Sequence, residues 1–250
     1  MNSVFPDNFI LTIEYDGSAY YGWGIQNDVP TVQGEFARIF NKLFTEYKWS
    51  AAGRTDRGVH ARGQKVSVST DLRIPEKKLV SVLNDHLPDA VRIRRVDFPG
   101  SYIDIRRSAT FRTYRFFMDD AAGFSPFKRL YRTYVDFNKV DWNLFESLSR
   151  YFLGEHDFTN YSSNNPAVSN HVRKITAFDL QVRRRTCVAE ITANGFLYNM
   201  VRRIMGTLLS AASGAMSPLF LKELLDSKEE MRNKTIVADP YGLYLWEVGY

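Results

Sequence analysis

The sequence predicts an α+β protein built in two halves, and three observations carry that prediction. The chain has 250 residues, 44% of them apolar, enough for one large domain or two half-sized ones with a core each. Through about residue 100 the hydrophobic pattern alternates between strand and helix periods in the order β-α-β-β-α-β. A similar element order follows in residues 101–250, with no low-complexity linker between.

In the first half, Phe9–Asp16 (FILTIEYD) alternates apolar and polar residues as a half-buried strand does, and GSAYYGWG follows as a glycine-rich loop. Thr31 can cap a helix whose apolar face carries Phe36, Ile39, Phe40, Leu43, Phe44 and Tyr47. Trp49–Ala52 reads as a short strand, and Lys65–Thr70 (KVSVST) as another. Pro75 suits the start of a helix running to about Asn84, and Ala90–Val96 closes the half as a strand. This order matches the split βαβ unit of ferredoxin-like folds.

In the second half, Thr110–Met118 (TFRTYRFFM) is a strand and Val140–Leu153 an amphipathic helix stopped by Gly154. Residues 155–171 are polar and turn-rich and read as a loop. Strands follow at about 172–182 and 186–193, then helices over Phe196–Ser213 and Pro218–Ser227, then a last strand at Gly242–Gly249. The expected organisation is an N-terminal half, 1–100, and a C-terminal half, 101–250, closely packed around a cleft faced by glycine-flanked loops.

Composition narrows the function classes. The net charge is +5, and 22 of the 33 basic residues are arginine, whose planar fork suits phosphates and base faces. Arg92–Arg115 holds seven arginines against Asp97 and Asp104, and Arg173, Lys174 and Arg183–Arg185 form a second cluster. Either cluster alone reads equally as a solvated strand face; together they favour a polyanion partner. No apolar run is long enough to span a bilayer, and MNSVFPDNFILTIEYDG lacks the features of a secretory leader. Cys187 is the single cysteine, so no intrachain disulfide forms and a reducing cytoplasm is expected.

The four histidines are unpaired in spacing, so no metal site is expected, and neither a GxxxxGK[ST] loop nor a GxSxG elbow occurs. What stands out is AAGRTDRGVHARGQ at 51–64, where Asp56 lies between Arg54 and Arg57. The arginines favour its charged form, which suits a nucleophile, a weak base or a stabiliser of positive charge. An ordinary loop ion pair is the competing reading. Alternation in the 110–118 strand puts Arg112, Tyr114 and Phe116 on one face, so Tyr114 suits either base stacking or a core edge. In NGFLYNMVRR, at 194–203, one of Arg202 and Arg203 is expected to face the cleft, the other reading being a surface arginine.

With these residues in view, GRTDRGVHA (53–61) closely resembles the motif of the TruA family of tRNA pseudouridine synthases. IEYDGSAYYGW (13–23), TVQG (31–34), SATFRTYRF (108–116), GEHDFTN (154–160), NGFLYNMVRRIMGTL (194–208) and GLYL (242–245) agree with that family in order. The resemblance implies two ferredoxin-like halves with the active cleft between them. It implies isomerisation of uridine to pseudouridine in the tRNA anticodon stem–loop, at positions 38, 39 and/or 40, with no cofactor and no metal. By the same resemblance Asp56 is the catalytic aspartate, while Arg54, Tyr114, Arg202 and Leu243 bind the substrate nucleotide. The implied assembly is a homodimer contacting tRNA, with no membrane association. The alternative within the same resemblance is a catalytically inactive tRNA-binding or chaperone relative; an RNA hydrolase would need a metal cluster or histidine pair that the sequence does not offer.

Overall fold

The computed structural model describes residues 7–71 and 74–250; residues 1–6, the start of the run read for a leader, lie outside them. The class is α+β. The chain divides into two compact units, one ending at Thr110 and taking in Tyr244–Tyr250, the other being Phe111–Leu243.

The first unit contains β1 (Asp7–Tyr15), α1 (Val32–Leu43), β2 (Tyr47–Ala51), β3 (His60–Thr70), α2 (Glu76–His86), β4 (Val91–Asp97) and the short α3 (Ile105–Ser108). β3 runs antiparallel to β1 and β2, and β1 antiparallel to β4, giving the order β4-β1-β3-β2 of a ferredoxin-like sheet. Phe36, Ile39 and Phe40 of α1 and Leu79 and Leu83 of α2 are buried. Thr31 caps α1 by accepting from the Gly34 amide at 3.2 Å, and Pro75 precedes α2.

Several boundaries differ from the sequence reading. Tyr47, expected on the α1 face, belongs to β2, because the chain turns extended at Phe44; its ring meets Phe40 edge-on at 5.6 Å. β3 starts at His60 rather than Lys65, since Tyr15 pairs with Ala61 and Ile13 with Gln64 across the sheet. The unit extends past residue 100 because Ile105 is buried and Ser50 Oγ donates to Asp104 at 3.3 Å.

The second unit contains β5 (Phe111–Asp120), β6 (Thr133–Val135), α4 (Trp142–Ser149), β7 (Gly154–Asp157), β8 (Val172–Arg183), β9 (Thr186–Ala193), α5 (Met200–Ala212) and α6 (Pro218–Asp226). Its strands run antiparallel in the path β5-β9-β8-β7, with β6 parallel to β5. α4 is shorter than the expected 140–153 helix: it tightens to a 3₁₀ turn at Arg150–Phe152, and Gly154 breaks away at φ +98. The stretch read as loop from 155 opens with β7, whose Glu155 pairs with Lys174. The helix expected from Phe196 begins at Met200, because Asn199 is left-handed at φ 59 and cannot continue a helix backwards.

The last strand, β10 (Leu243–Gly249), returns to the first unit, where Tyr244 and Leu245 pair in parallel with His60 and Ala61. Among the described residues no helix is long and apolar enough to cross a membrane.

Candidate active site

Asp56 sits at the head of a tight turn. The Val59 amide donates to the Asp56 carbonyl at 3.1 Å, and Gly58, at φ +79, occupies the position where a type II turn requires a residue without a β-carbon. The Asp56 side chain is half-buried and Arg54 and Arg57 are exposed. Fully buried Gln64 donates to the Gly53 carbonyl at 2.8 Å, and the Trp23 amide donates to the Thr55 carbonyl at 3.0 Å. The backbone on both sides of the carboxylate is therefore fixed by partners from elsewhere in the unit.

Two glycines of the GSAYYGW segment make that anchoring possible. A β-carbon on Gly17 would lie 2.0 Å from the Val59 carbonyl oxygen, and one on Gly22 would lie 2.8 Å from that of Thr55. Gly22 also has φ +104, a conformation open mainly to glycine. The two loops approach backbone to backbone at these glycines, and the Gly17 amide also donates to His60 Nδ1 at 3.0 Å.

Under the loop, the Tyr15 hydroxyl and Thr55 Oγ1 share a hydrogen bond of 2.7 Å. Burial raises the Tyr15 pKa well above the ordinary tyrosine range, hydrogen bonds from Thr55 and Gln64 partly offset this, and the nearby Asp56 charge adds to it. Tyr15 thus keeps its proton and serves as a fixed neutral post. Arg57 is turned onto the Tyr21 ring, 4.1 Å from its centroid, and the Arg54 stem passes 3.9 Å from the position of a Gly24 β-carbon.

In the second unit, β5 alternates as expected. Thr113 bonds Thr192 and Arg115 pairs with Glu190 on one face, while Tyr114, Phe116 and Met118 are buried on the other, opposite Ile191, Ala189 and Cys187. Tyr114 is 8% exposed, and Phe196 meets its ring edge-on at 5.1 Å. Phe196 lies outside α5, which begins at Met200.

Arg202 is held at two of its nitrogens. Nε donates to the Ala238 carbonyl and Nη1 to Asn199 Oδ1, each at 2.8 Å. Asn199 is itself fixed by donating to Ser163 Oγ at 2.9 Å. Arg203 joins the same network at Ser163 Oγ and also donates to the Arg232 carbonyl and Thr235 Oγ1. Both guanidinium groups are thus held by loop partners, Arg202 through Asn199 and Ala238, Arg203 through Ser163, Arg232 and Thr235. Leu243 is buried at the start of β10, directly after Gly242, whose missing side chain admits the Phe117 carbonyl and Thr133.

Arg54 and Asp56 share one loop of the first unit, while Tyr114, Arg202 and Leu243 belong to the second. Sequence reasoning missed Tyr15, Thr55, Gly17 and Gly22 as positioning residues. The glycine spacing of DGSAYYGW was visible, but the loop it meets was not. It also missed Asn199, whose cue was an asparagine just before a helical run. Among the described residues no group of three or more His, Cys, Asp or Glu side chains is placed to hold a metal.

A family model described as tRNA pseudouridine synthase matches residues 148–250, a range that does not include the Asp56 loop. Relatives cover that loop as well. The chain is 35% identical over 246 residues to tRNA pseudouridine synthase A of Caldicellulosiruptor bescii, spanning 97% of this chain and 99% of the relative. It is 37% identical over 242 residues to the protein of that name from Brevibacillus brevis, spanning 95% and 97%. A solved Cbf5-Nop10-Gar1 complex is a distant likeness, with a TM-score of 0.39 and 13% identity over 82% of this chain and 44% of that one.

Proposed function

The chain belongs to the tRNA pseudouridine synthase family and is an isomerase acting on tRNA; from that premise we propose that it converts uridine to pseudouridine in the anticodon stem–loop, at positions 38, 39 and/or 40, with Asp56 as its catalytic carboxylate. Arg54, Tyr114, Arg202 and Leu243 bind the nucleotide in this reading, no metal or cofactor takes part, and a cytoplasmic homodimer is the working form.

The observation that carries the reading is the fixed backbone around Asp56. The loop is anchored at Gly53, at both the carbonyl and hydroxyl of Thr55, and through the turn to Val59. A carboxylate carried on so fixed a backbone needs less reorganisation when charge develops on a sugar beside it, the condition under which electrostatic catalysis is strong. The reaction moves the glycosidic bond from uracil N1 to C5: the C1′–N1 bond breaks, the base turns, C5 bonds to C1′, the C5 proton leaves to solvent and N1 takes up a proton. Cleavage builds positive charge at the ribose, and Asp56 meets it by stabilising that charge, by attacking C1′ or by removing a sugar proton. A stacked uridine must first be extruded, at a cost of a few kcal/mol. Arg54, exposed at the rim of the loop, is suited to occupy the vacated space or hold the backbone.

Tritium release from tRNA carrying 5-tritiated uridine tests the assignment. Asp56→Asn is expected to abolish release while tRNA binding stays within about tenfold, because phosphate contacts dominate affinity. Retained turnover in that variant would falsify the catalytic role. Wild-type protein that binds tRNA but releases no tritium would instead support the inactive tRNA-binding alternative.

A further inference from the structure

One surface of the second unit is not used by this reading. Between β5 and β6 the chain runs AAGFSPFKRLYR, residues 121–132, and there Phe127 is 90% exposed and Phe124 57% exposed. Single exposed rings are ordinary on a protein surface; what sets this pair apart is the charge that accompanies it.

The segment is not loose. Tyr134 ties it at both backbone groups of Ser125, its hydroxyl donating to the carbonyl and accepting from the amide, each at 3.2 Å. Phe124 packs on the Tyr134 ring at 4.8 Å, and Arg129 Nη1 donates to the Pro126 carbonyl at 2.7 Å. The turn between β8 and β9 is fastened beside it, the Asp120 amide donating to the Arg185 carbonyl at 3.0 Å. Arg183, Arg184 and Arg185 are thereby brought next to the loop, and all three are exposed.

The charge on this surface is predominantly positive. Residues 121–135 and 180–189 contain no acidic side chain. Arg132 is neutralised by Asp119 at 3.5 Å and lies over the Phe117 ring. Among the described residues Lys128, Arg129, Arg183, Arg184 and Arg185 have no carboxylate in ion-pair range. Lys128 and Arg129 follow Phe127 directly in the chain, and the Arg183–Arg185 turn is fastened at the start of the segment; such a surface repels a like surface on a second copy and matches a partner with phosphates and flat bases.

We propose that residues 124–129 together with Arg183–Arg185 form a second RNA-contact surface, where an unpaired base of the tRNA stacks on Phe127 and the flanking phosphates meet the five cations. The proposal rests on the tRNA reading above. Asp120, beside this surface, is six residues along β5 from Tyr114, about 20 Å at ~3.3 Å per residue. The nucleotide held here is therefore a different one from the nucleotide that reacts.

The test measures tRNA Kd by filter binding from low to high salt, for wild type, Phe127→Ala, the double variant Arg184→Gln/Arg185→Gln, and Leu219→Ala as a control. Leu219, 80% exposed on α6, lies in neither site. The expected result is a roughly tenfold weaker Kd for Phe127→Ala with an unchanged salt slope, from loss of one stacking contact. The double variant is expected to lower the slope of log Kd against log salt by about 1 to 2, and the control to match wild type. Unchanged tRNA Kd and slope in both surface variants overturn the proposal. So does a result in which Phe127→Ala changes only the oligomeric state in sedimentation, or only binding to phosphatidylserine vesicles. Wild-type tritium release, run in parallel, separates the two readings: if it is absent while the surface variants still lose tRNA binding, the isomerase reading fails and this surface stands.

Discussion

The Tyr15 hydroxyl stands 2.7 Å from Thr55 Oγ1, a residue 40 positions away in sequence and immediately before Asp56. A strand side chain thereby supports the backbone that carries the proposed catalytic carboxylate. Removing the hydroxyl in Tyr15→Phe is expected to cost about 1 kcal/mol of stability, the usual net worth of one buried hydrogen bond. Turnover should fall further than tRNA affinity, since the loop loses its support but the RNA loses no contact. Urea unfolding and a kcat-against-KM comparison check this; a variant with unaltered kcat would remove Tyr15 from the positioning role.

Gly22→Ala tests the interlocked loops. The new methyl would sit 2.8 Å from the Thr55 carbonyl oxygen, in a backbone with φ +104. Strain and collision together predict a loss of about 2 kcal/mol or more. If urea midpoints for Gly22→Ala and wild type coincide, the close approach of the two loops is not a feature of the protein in solution.

Tyr114→Phe keeps the ring that meets Phe196 and removes only the hydroxyl. Slowed turnover with RNA binding largely kept is expected. Wild-type rates in single-turnover measurements would leave the ring, and not the hydroxyl, as the useful part.

Alkaline pH should destabilise the fold through its buried phenols. Burial raises the pKa values of Tyr15 and Tyr161 above the ordinary tyrosine range of about 10, and Tyr20 is pushed up to about 12. The native state therefore holds protons that the unfolded chain releases. The stabilising contribution is complete below pH ~10 and is lost as pH rises from there through the folded values. Urea midpoints are expected to be flat in this respect from pH 8 to 9.5 and to fall above it. A midpoint that rises between pH 10 and 11 would contradict the burial of these groups.

Cys187 is 1% exposed in β9, and burial pushes its thiol up to about 12. Ellman's reagent at pH 8 should leave the native protein unmodified and titrate one thiol in urea. Rapid labelling of native protein would mean that the β5–β9 face opens readily.

The sequence by itself determined the elements whose pattern repeats over a few residues. Alternation fixed the inward face of β5, the apolar spacing of Phe36, Ile39 and Phe40 fixed α1, and Thr31 fixed where that helix starts. It also held Asp56 and its glycines in plain view, because a tight turn is a local demand. Only the tertiary structure decided that His60 opens β3, that Glu155 joins a strand, and that Phe196 stays out of α5 to meet Tyr114. It alone decided what holds the Asp56 loop, since Tyr15, Gly17 and Gly22 reach it from another part of the chain. The division is physical: periodicity and turn geometry are set by neighbours in sequence, whereas hydrogen-bond partners and close backbone approaches are set by whichever distant strands the shared core brings alongside.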